Sequence, residues 1–333
     1  MSYFIGVDIG ASTVKLGLYE SVQGIIGTRK DYPSRANEGP GATMEVIKAT
    51  ATEILAEHGV SPADLKGAGA CCPTPVDLDG MCVYPTNIDD SWLGVNVKKI
   101  LSDTLGVPAV LLNDGDAAAY REYRVRSEKG EASPMMVQLI TGTGLGGAII
   151  VKGELLVGPL PATELGHIQT DSSSDADLCG CGSTGCAEMK SSLMGLRNLV
   201  RRRQEAGDVP AELQGDPMEV AKTLRRLVQQ DTPDPAVTEI WKTYFTNLGS
   251  LARIAANTTG CDLIVISGGA QEREDGVSDS AFQRYLDNAI LWIRENLEAG
   301  FPHLKQVKVE WAIDEIPDSA AYGTAQYAAA HLE

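Results

Sequence analysis

No run of 18 or more apolar residues occurs in the chain, so nothing in it reads as a transmembrane helix and no membrane partner is expected. No signal peptide is expected, since MSYFIGVDIG passes directly into a strand pattern, and the expected location is cytoplasmic. Basic charge is scarce, with 28 Lys and Arg against 45 Asp and Glu, a net charge of −17. Nucleic acid as the main partner would require clustered Lys and Arg. The one dense basic run, Arg201–Arg202–Arg203, is explained at least as well by a solvated helix face. Cysteines number seven, an odd count, and in a cytosolic chain they are expected to be reduced rather than to form a disulfide framework. Cys71, Cys72, Cys82 and Cys261 read as small buried hydrophobes.

What is present is a 333-residue α/β pattern, long enough for two domains. YFIGVDI, the turn GAST and VKLGLYE read as strand, turn and strand, with a third strand near QGIIGTRK. Met44, Ile47, Ile54 and Leu55 fall at helical spacing in a helix expected over 43–58. LKGAGACC reads as a strand, WLGVNVKKILSDTLG as a helix, and PAVLLN as a short strand feeding a helix at Asp114. MMVQLIT, GTGLGG and AIIV then repeat the opening strand–turn–strand plan, which reads as a weak internal duplication. Helices expected from Glu188 to about Gln204, over about 217–230 and over about 236–257 precede the strand DLIVISGG. One more helix and a last strand–helix pair complete the chain.

Three small-residue turns stand at strand ends. In Gly10–Ala11–Ser12–Thr13, ending at Lys15, successive backbone N–H groups can converge on one anion, with Asp8 placed to hold Mg²⁺ beside it. A plain hairpin turn would need the same small residues. Gly142–Thr143–Gly144–Leu145–Gly146–Gly147 matches G-x-G-x-x-G, but a dinucleotide fingerprint must open a helix, and AIIVKGEL is a strand pattern. That leaves a phosphate-clamping hairpin. Ser267–Gly268–Gly269–Ala270 follows DLIVI and lets an adenine or ribose approach the backbone.

In LLNDGDAAAYREY, Asn113 and Asp114 sit where a strand becomes a helix. Helix capping accounts for both residues. A carboxylate at a strand's C-terminal end could equally accept a hydroxyl proton during attack on phosphorus. In CGCGSTGCAE, together with ELGH before it, His167, Cys179, Cys181 and Cys186 supply one imidazole and three sulfurs, a sufficient set for a closed structural zinc. A redox pair and a chance cluster of buried thiols are the alternatives. Such a site would pin a loop carrying Glu164 and Glu188, the latter also readable as a first-turn helix acid.

These stretches together resemble the ROK family of sugar kinases and repressors, within the actin-like ATPase (ribonuclease H-like) fold. DIGASTVK is similar to its first phosphate motif, LLNDGDAAA to its catalytic Asn–Asp motif and TGTGLGG to its second phosphate motif. ELGH and CGCGSTGCAE match its two signatures, and SAAYGTAQYAAA resembles its C-terminal helix. The resemblance implies ATP-dependent phosphorylation of a hexose 6-hydroxyl with Mg²⁺ and a structural Zn²⁺. Glucose is the first expectation, and an N-acylhexosamine or fructose the alternatives. It implies Asp114 as general base, with Asn113, Glu164, His167, Glu188 and Asn87 at the sugar. Asp8, Gly10, Ser12, Thr13 and Lys15 would surround the transferring phosphate. Thr141, Gly142, Thr143, Gly144, Gly268 and Gly269 would contribute to the nucleotide site.

The implied domains are a small one, 1–113 plus 318–333, and a large one, 114–317, with a cleft between them, in a homodimer or dimer of dimers. Ala11 replaces a usual Gly and fits if its φ is negative; Thr74 replaces another in a loop near the sugar. NIDDSWLGVN is also similar to polyphosphate/ATP glucokinases, which lack the cysteine motif, so polyphosphate is a second candidate donor. A sugar-sensing repressor would carry a helix-turn-helix before the first phosphate motif, which here begins at residue 6. A non-catalytic sugar-binding protein would not need Asp114 and both phosphate turns.

Overall fold

The computed structural model describes residues 1–72, 74–83, 88–158, 163–207, 209–313 and 319–332. The chain divides into two compact units, Met1–Ala132 with Gly153–Thr163 and Ile313–Glu333, and Ser133–Lys152 with Glu164–Ala312. No helix among the described residues is long and apolar enough to cross a membrane.

The first unit is built on β1 (Tyr3–Ile9), β2 (Thr13–Glu20), β3 (Gly24–Pro33), β4 (Leu65–Cys72) and β5 (Ala109–Asn113), in the order β3-β2-β1-β4-β5. β1 pairs antiparallel with β2, and β2 with β3, while β1, β4 and β5 run parallel. Side chains alternate across a strand. Ile5, Val7 and Ile9 accordingly join the core formed with α1 (Pro40–Glu57) and α2 (Val97–Leu105). α3 (Asp114–Glu128) follows β5 without a loop.

α2 starts later than the expected helix at Trp92. Gly94 takes a left-handed φ of 72°, which breaks the helix, and Asn96 caps the new start by accepting from Lys99 N at 2.7 Å.

The second unit repeats the plan. β6 (Met135–Thr141) and β7 (Leu145–Val151) form the antiparallel hairpin, and β9 (Leu263–Gly268) and β10 (Lys308–Trp311) extend it in parallel, in the order β10-β9-β6-β7. The two-residue strand β8 (Glu154–Leu155) lies in the 153–163 insert that belongs to the first unit. β7 resumes at Leu145, three residues earlier than expected, so Gly146 and Gly147 are strand residues. A Cβ on Gly147 would sit 2.7 Å from Leu165 Cδ1.

Around this sheet pack α4 (Leu193–Glu205), α5 (Pro217–Val228), α6 (Pro235–Thr259) and α7 (Asp279–Leu297). The core is rich in rings: Trp241, Tyr244, Phe245, Tyr285 and Trp292 are all buried. The helix expected from Glu188 begins at Leu193, where Ser192 caps it by accepting from Gly195 N at 3.2 Å; residues 187–189 form a separate 3-10 turn.

The last helix, α8 (Ser319–Leu332), returns to the first unit and lies on its sheet. A Cβ on Gly6 would fall 1.8 Å from Ala321 O, and one on Gly69 2.1 Å from Thr324 O. α3 is held against α8 in the same way, since a Cβ on Gly323 would meet Ala117 O at 1.8 Å. α3 therefore groups with the first unit, whereas the sequence boundary at 113/114 assigned it to the larger domain. Gly6→Ala drives a methyl into a main-chain carbonyl that no rotamer change can clear. The expected cost is about 1–3 kcal/mol, read as a lower urea midpoint; an unchanged midpoint would mean that α8 does not approach so closely.

Candidate active site

In the first unit the parallel register collects the acids at one edge of the sheet. Asp8 is level with Cys71, and Cys72 with Asn113. Asp8 and Asn113 thus stand two strands apart, about 10 Å, at the strands' C-terminal ends, where α/β sheets keep their ligands. The Asp8 carboxylate is held from two sides: Lys15 Nζ donates to Oδ2 at 3.2 Å, and the buried Cys71 thiol lies 3.7 Å from Oδ1. Burial, with Asp8 and Asp114 adding charge, pushes the Cys71 thiol up and keeps it protonated.

The turn after β1 is closed by Gly10 N donating to Thr13 O at 2.9 Å. Ser34 buttresses it from β3's end, its hydroxyl donating to Ala11 O at 2.9 Å and its N–H to Ser12 O at 2.9 Å. Ala11 is not among the residues with positive φ, so a methyl is admissible there.

Asn113 and Asp114 divide the two roles that the sequence left open. Asn113 is the cap of α3, its Oδ1 accepting from Asp116 N at 2.6 Å. Asp114 is therefore not required as the cap; its Oδ1 accepts from the adjacent Gly115 N at 2.9 Å, and its own backbone N–H also bonds the carboxyl. Asp114 reaches solvent, yet protein atoms crowd its carboxyl. Desolvation raises its pKa above the ordinary carboxylate value; the Gly115 N–H opposes the rise and the charge of Asp8 reinforces it.

In the second unit the hairpin turn is Gly142–Thr143–Gly144, with Gly142 N donating to Gly144 O at 2.9 Å. Thr141 is level with Gly268 on β9, which brings the third turn to the same sheet edge. The buried Thr141 hydroxyl joins them, donating to Ser267 O at 2.9 Å and accepting from Ala270 N at 3.3 Å. Gly268 has φ 88°, and a Cβ there would meet Thr141 O at 2.1 Å, so only glycine fits.

Beside these turns opens a cavity of about 270 Å³. Leu193, Leu196, Trp241 and Tyr244 form its apolar wall, and the backbone of Thr141–Thr143 and Gly269–Ala270 faces them. The sequence reading missed this cavity, whose helical lining comes from α4, α5 and α6. The one available signal was the Trp241–Tyr244 spacing on α6, which reads equally as core.

The cysteine loop also lies in the second unit. Cys179 Sγ is 3.5 Å from His167 Nδ1, Cys181 Sγ is 3.6 Å from Cys186 Sγ, and all four donor atoms fall within 4.8 Å of one another. A tetrahedral zinc, with Zn–S about 2.3 Å and Zn–N about 2.0 Å, sets its ligand atoms about 3.5–3.8 Å apart. The donors fit that ion in kind and in spacing.

Ion pairs fasten the loop to α4 and the turn before it. Asp177 binds Arg201 at 3.1 Å and Arg202 at 2.8 Å, and Asp171 binds Lys190 at 2.8 Å. Hydrogen bonds from Lys190 and then Ser173 hold the Asp171 carboxyl well below the usual range. Glu188 bridges the loop and the hairpin: Oε2 accepts from Leu145 N at 3.0 Å, and Oε1 lies 3.5 Å from Cys179 Sγ. Gly144 makes room for it, since a Cβ there would lie 2.5 Å from Glu188 Oε2. Glu164 opens the short turn Leu165–His167, and His167 N donates to its carbonyl at 3.0 Å.

Each unit thus gathers part of the expected set: Asp8, Gly10, Ser12, Thr13, Lys15, Asn113 and Asp114 in the first, the remainder of the described residues in the second. Asn87 lies outside the described residues. Thr74 is buried, with its hydroxyl 3.4 Å from Cys82 Sγ.

Residues 4–291 match the sequence model of the ROK family. The chain belongs to the ROK family. It is 33% identical over 215 residues to a glucokinase of Streptomyces coelicolor, covering 64% of this chain and 63% of that protein. A glucokinase of Halalkalibacterium halodurans is 27% identical over 299 residues, 89% of each chain. Among solved structures, a ROK family glucokinase from Streptomyces griseus, in complex with glucose and AMPPNP, superposes with a TM-score of 0.73 at 24% identity over 99% of this chain and 100% of that one. That likeness gives the fold, the actin-like ATPase fold that the sequence motifs implied.

The raised pKa of Asp114 carries a stability consequence. Between the ordinary aspartate value of about 3.9 and its higher folded value, the native state holds more protons than the unfolded one, so stability falls as pH rises through that window. Asp114→Asn removes the charge and retains an acceptor for Gly115 N. It is expected to melt above the parent at pH 7 in scanning calorimetry, with the gap closing as pH falls below about 3.9; equal melting at pH 7 would show that the carboxyl is not desolvated.

Proposed function

We propose that the protein is a sugar kinase that transfers the γ-phosphoryl group of MgATP to the 6-hydroxyl of a hexose, with glucose the first candidate. The observation that carries this reading is the division of labour at the start of α3: Asn113 does the capping, which leaves the crowded Asp114 carboxylate available as a base. The glucokinase relatives support the same reaction.

In the proposed mechanism the Asp114 carboxylate accepts the hydroxyl proton as the sugar oxygen attacks phosphorus. Its raised pKa makes it a stronger base than an ordinary aspartate. Asn113 donates its amide N–H to a neighbouring sugar hydroxyl, since capping occupies only Oδ1. Glu164, His167 and Glu188 contact other hydroxyls. Asp8 would hold Mg²⁺ or its water ligands, with Lys15 and the N–H groups of the 10–13 turn beside the phosphate. Thr141, Gly142, Thr143, Gly144, Gly268 and Gly269 cradle the remaining phosphates and ribose.

The apolar wall of the nearby cavity favours a nucleoside donor over polyphosphate, because a bare phosphate chain offers nothing for Trp241 and Tyr244 to cover. His167, Cys179, Cys181 and Cys186 would hold a zinc ion with no open position, which supplies a structural clamp.

Asp114→Asn is expected to lower kcat by about 10²–10⁴-fold with sugar affinity retained in calorimetric titration; near-normal turnover would refute the assignment. A coupled ADP-release assay across glucose, mannose, N-acetylglucosamine, N-acetylmannosamine and fructose ranks the acceptors, and glucose is expected to give the highest kcat/KM. Cys181→Ser is expected to lose bound metal, melt at a lower temperature and raise the sugar KM together. A metal-free variant with an unchanged KM would separate the cysteine loop from the sugar pocket.

A further inference from the structure

We propose that Arg225 and Gln229, at the C-terminal end of α5, are positioning residues for the donor nucleotide: they hold the 269–274 segment in the shape that forms one side of the base pocket. The inference rests on the reading of the 270 Å³ cavity as the nucleoside site, and it assigns α5 a role beyond lining that cavity.

The segment after β9 needs external support. It begins at Gly268 with a left-handed φ and makes one 3-10 turn, Gly269–Gln271, before running on as irregular chain. Fixing such backbone costs about 1–2 kcal/mol per residue in conformational entropy. A pocket wall ordered before the ligand arrives spares the ligand that cost.

Two side chains of α5 supply much of the order. Arg225 Nη1 donates to Gly269 O and lies 2.6 Å from Glu272 Oε2, while its Nε donates to Glu274 Oε1 at 2.5 Å. Gln229 is fully buried and reads the same stretch of backbone from both ends of its amide: Nε2 donates to Glu272 O at 2.9 Å and Oε1 accepts from Glu274 N at 2.9 Å. Residues 269, 272 and 274 are thus all tied to one helix terminus.

Arg225 lines the cavity, and a cation there would ordinarily be assigned to a phosphate. Its contacts oppose that role. Two carboxylates flank one guanidinium, so the local charge is net negative, and Nε and Nη1 are already committed. The geometry suits an internal brace. On the other side of the segment, the buried Tyr285 hydroxyl donates to Ala270 O at 2.7 Å, so the turn is held from both faces. The pocket's Trp241 is tied to α5 as well, its Nε1 donating to Leu224 O at 3.1 Å. α5 therefore fixes an aromatic wall and the backbone facing it relative to each other.

The test uses the full chain with Arg225→Met, Gln229→Ala and the conservative Glu274→Gln, each assayed for ATP and hexose KM, kcat and AMPPNP affinity by calorimetry. Arg225→Met and Gln229→Ala are each expected to raise the ATP KM and the AMPPNP Kd about three- to tenfold, the worth of one or two ordinary hydrogen bonds. Expected kcat stays within about twofold, since neither residue meets the reacting atoms, and the hexose KM is unchanged. Glu274→Gln keeps the shape of the contact and is expected to show a smaller shift of the same kind. The double variant is expected to fall short of the product of the single effects, because both side chains act on one segment.

Unchanged AMPPNP affinity in folded Arg225→Met and Gln229→Ala overturns the inference, as does a loss of kcat or hexose affinity equal to the loss of nucleotide affinity. If either variant fails to fold, Glu274→Gln decides: a nucleotide-only shift upholds the proposal and none overturns it. Ala221→Phe, which fills the cavity, separates this inference from the reading beneath it. If the filled cavity still binds AMPPNP normally, the base-pocket reading itself fails; if filling abolishes binding while the brace variants do not weaken it, only the role of Arg225 and Gln229 fails.

Discussion

The sheet edge of the first unit that carries Asp8 and Asp114 depends on a contact between main chains. α8 lies directly on β1 and β4 because Gly6 and Gly69 place no side chain beneath it, and the carbonyls of Ala321 and Thr324 occupy the space that a methyl would need. α3 takes its position from α8 through Gly323 and the Ala117 carbonyl. Asp8 is two residues along β1 from Gly6, and Asp114 three residues before Ala117. The two carboxylates are therefore spaced by a stack of close backbone approaches, which yield far less than side-chain packing does.

Much of this plan was legible in the sequence. Strand, small-residue turn and strand occur twice, and the structure repeats them as β1–β2 and β6–β7, each hairpin extended by two parallel strands. Alternation of apolar residues in YFIGVDI and MMVQLIT, with short turns of Gly, Ser and Thr, was enough to mark them. The four metal-ligand candidates were equally readable, from three cysteines clustered in a glycine-rich loop after ELGH, and their donor atoms do converge.

Less legible was anything set by backbone conformation or by distant partners. Trp92 and Glu188 were expected to open helices; a left-handed Gly94 delays the first, and the Ser192 cap sets the later start of the second. Asn113 and Asp114 are adjacent and of similar type, so periodicity could not say which one caps α3; only the bond from Asp116 N to Asn113 Oδ1 separates them. The cavity beside the 142–144 and 268–270 turns draws its lining from α4, α5 and α6, which no single helix pattern reveals. The grouping of α3 with α8 was hidden for a related reason: the approach of Gly323 to Ala117 joins distant parts of the chain and leaves no local pattern.

Glu188 has one oxygen on the amide that restarts β7 and the other against a cysteine of the metal-ligand set. Two loops far apart in sequence thus share a single carboxylate. On the proposed function, an acceptor hydroxyl that recruits either oxygen would draw on the turn at 142–144 and the cysteine loop together, so its arrival would be felt at that turn without touching it.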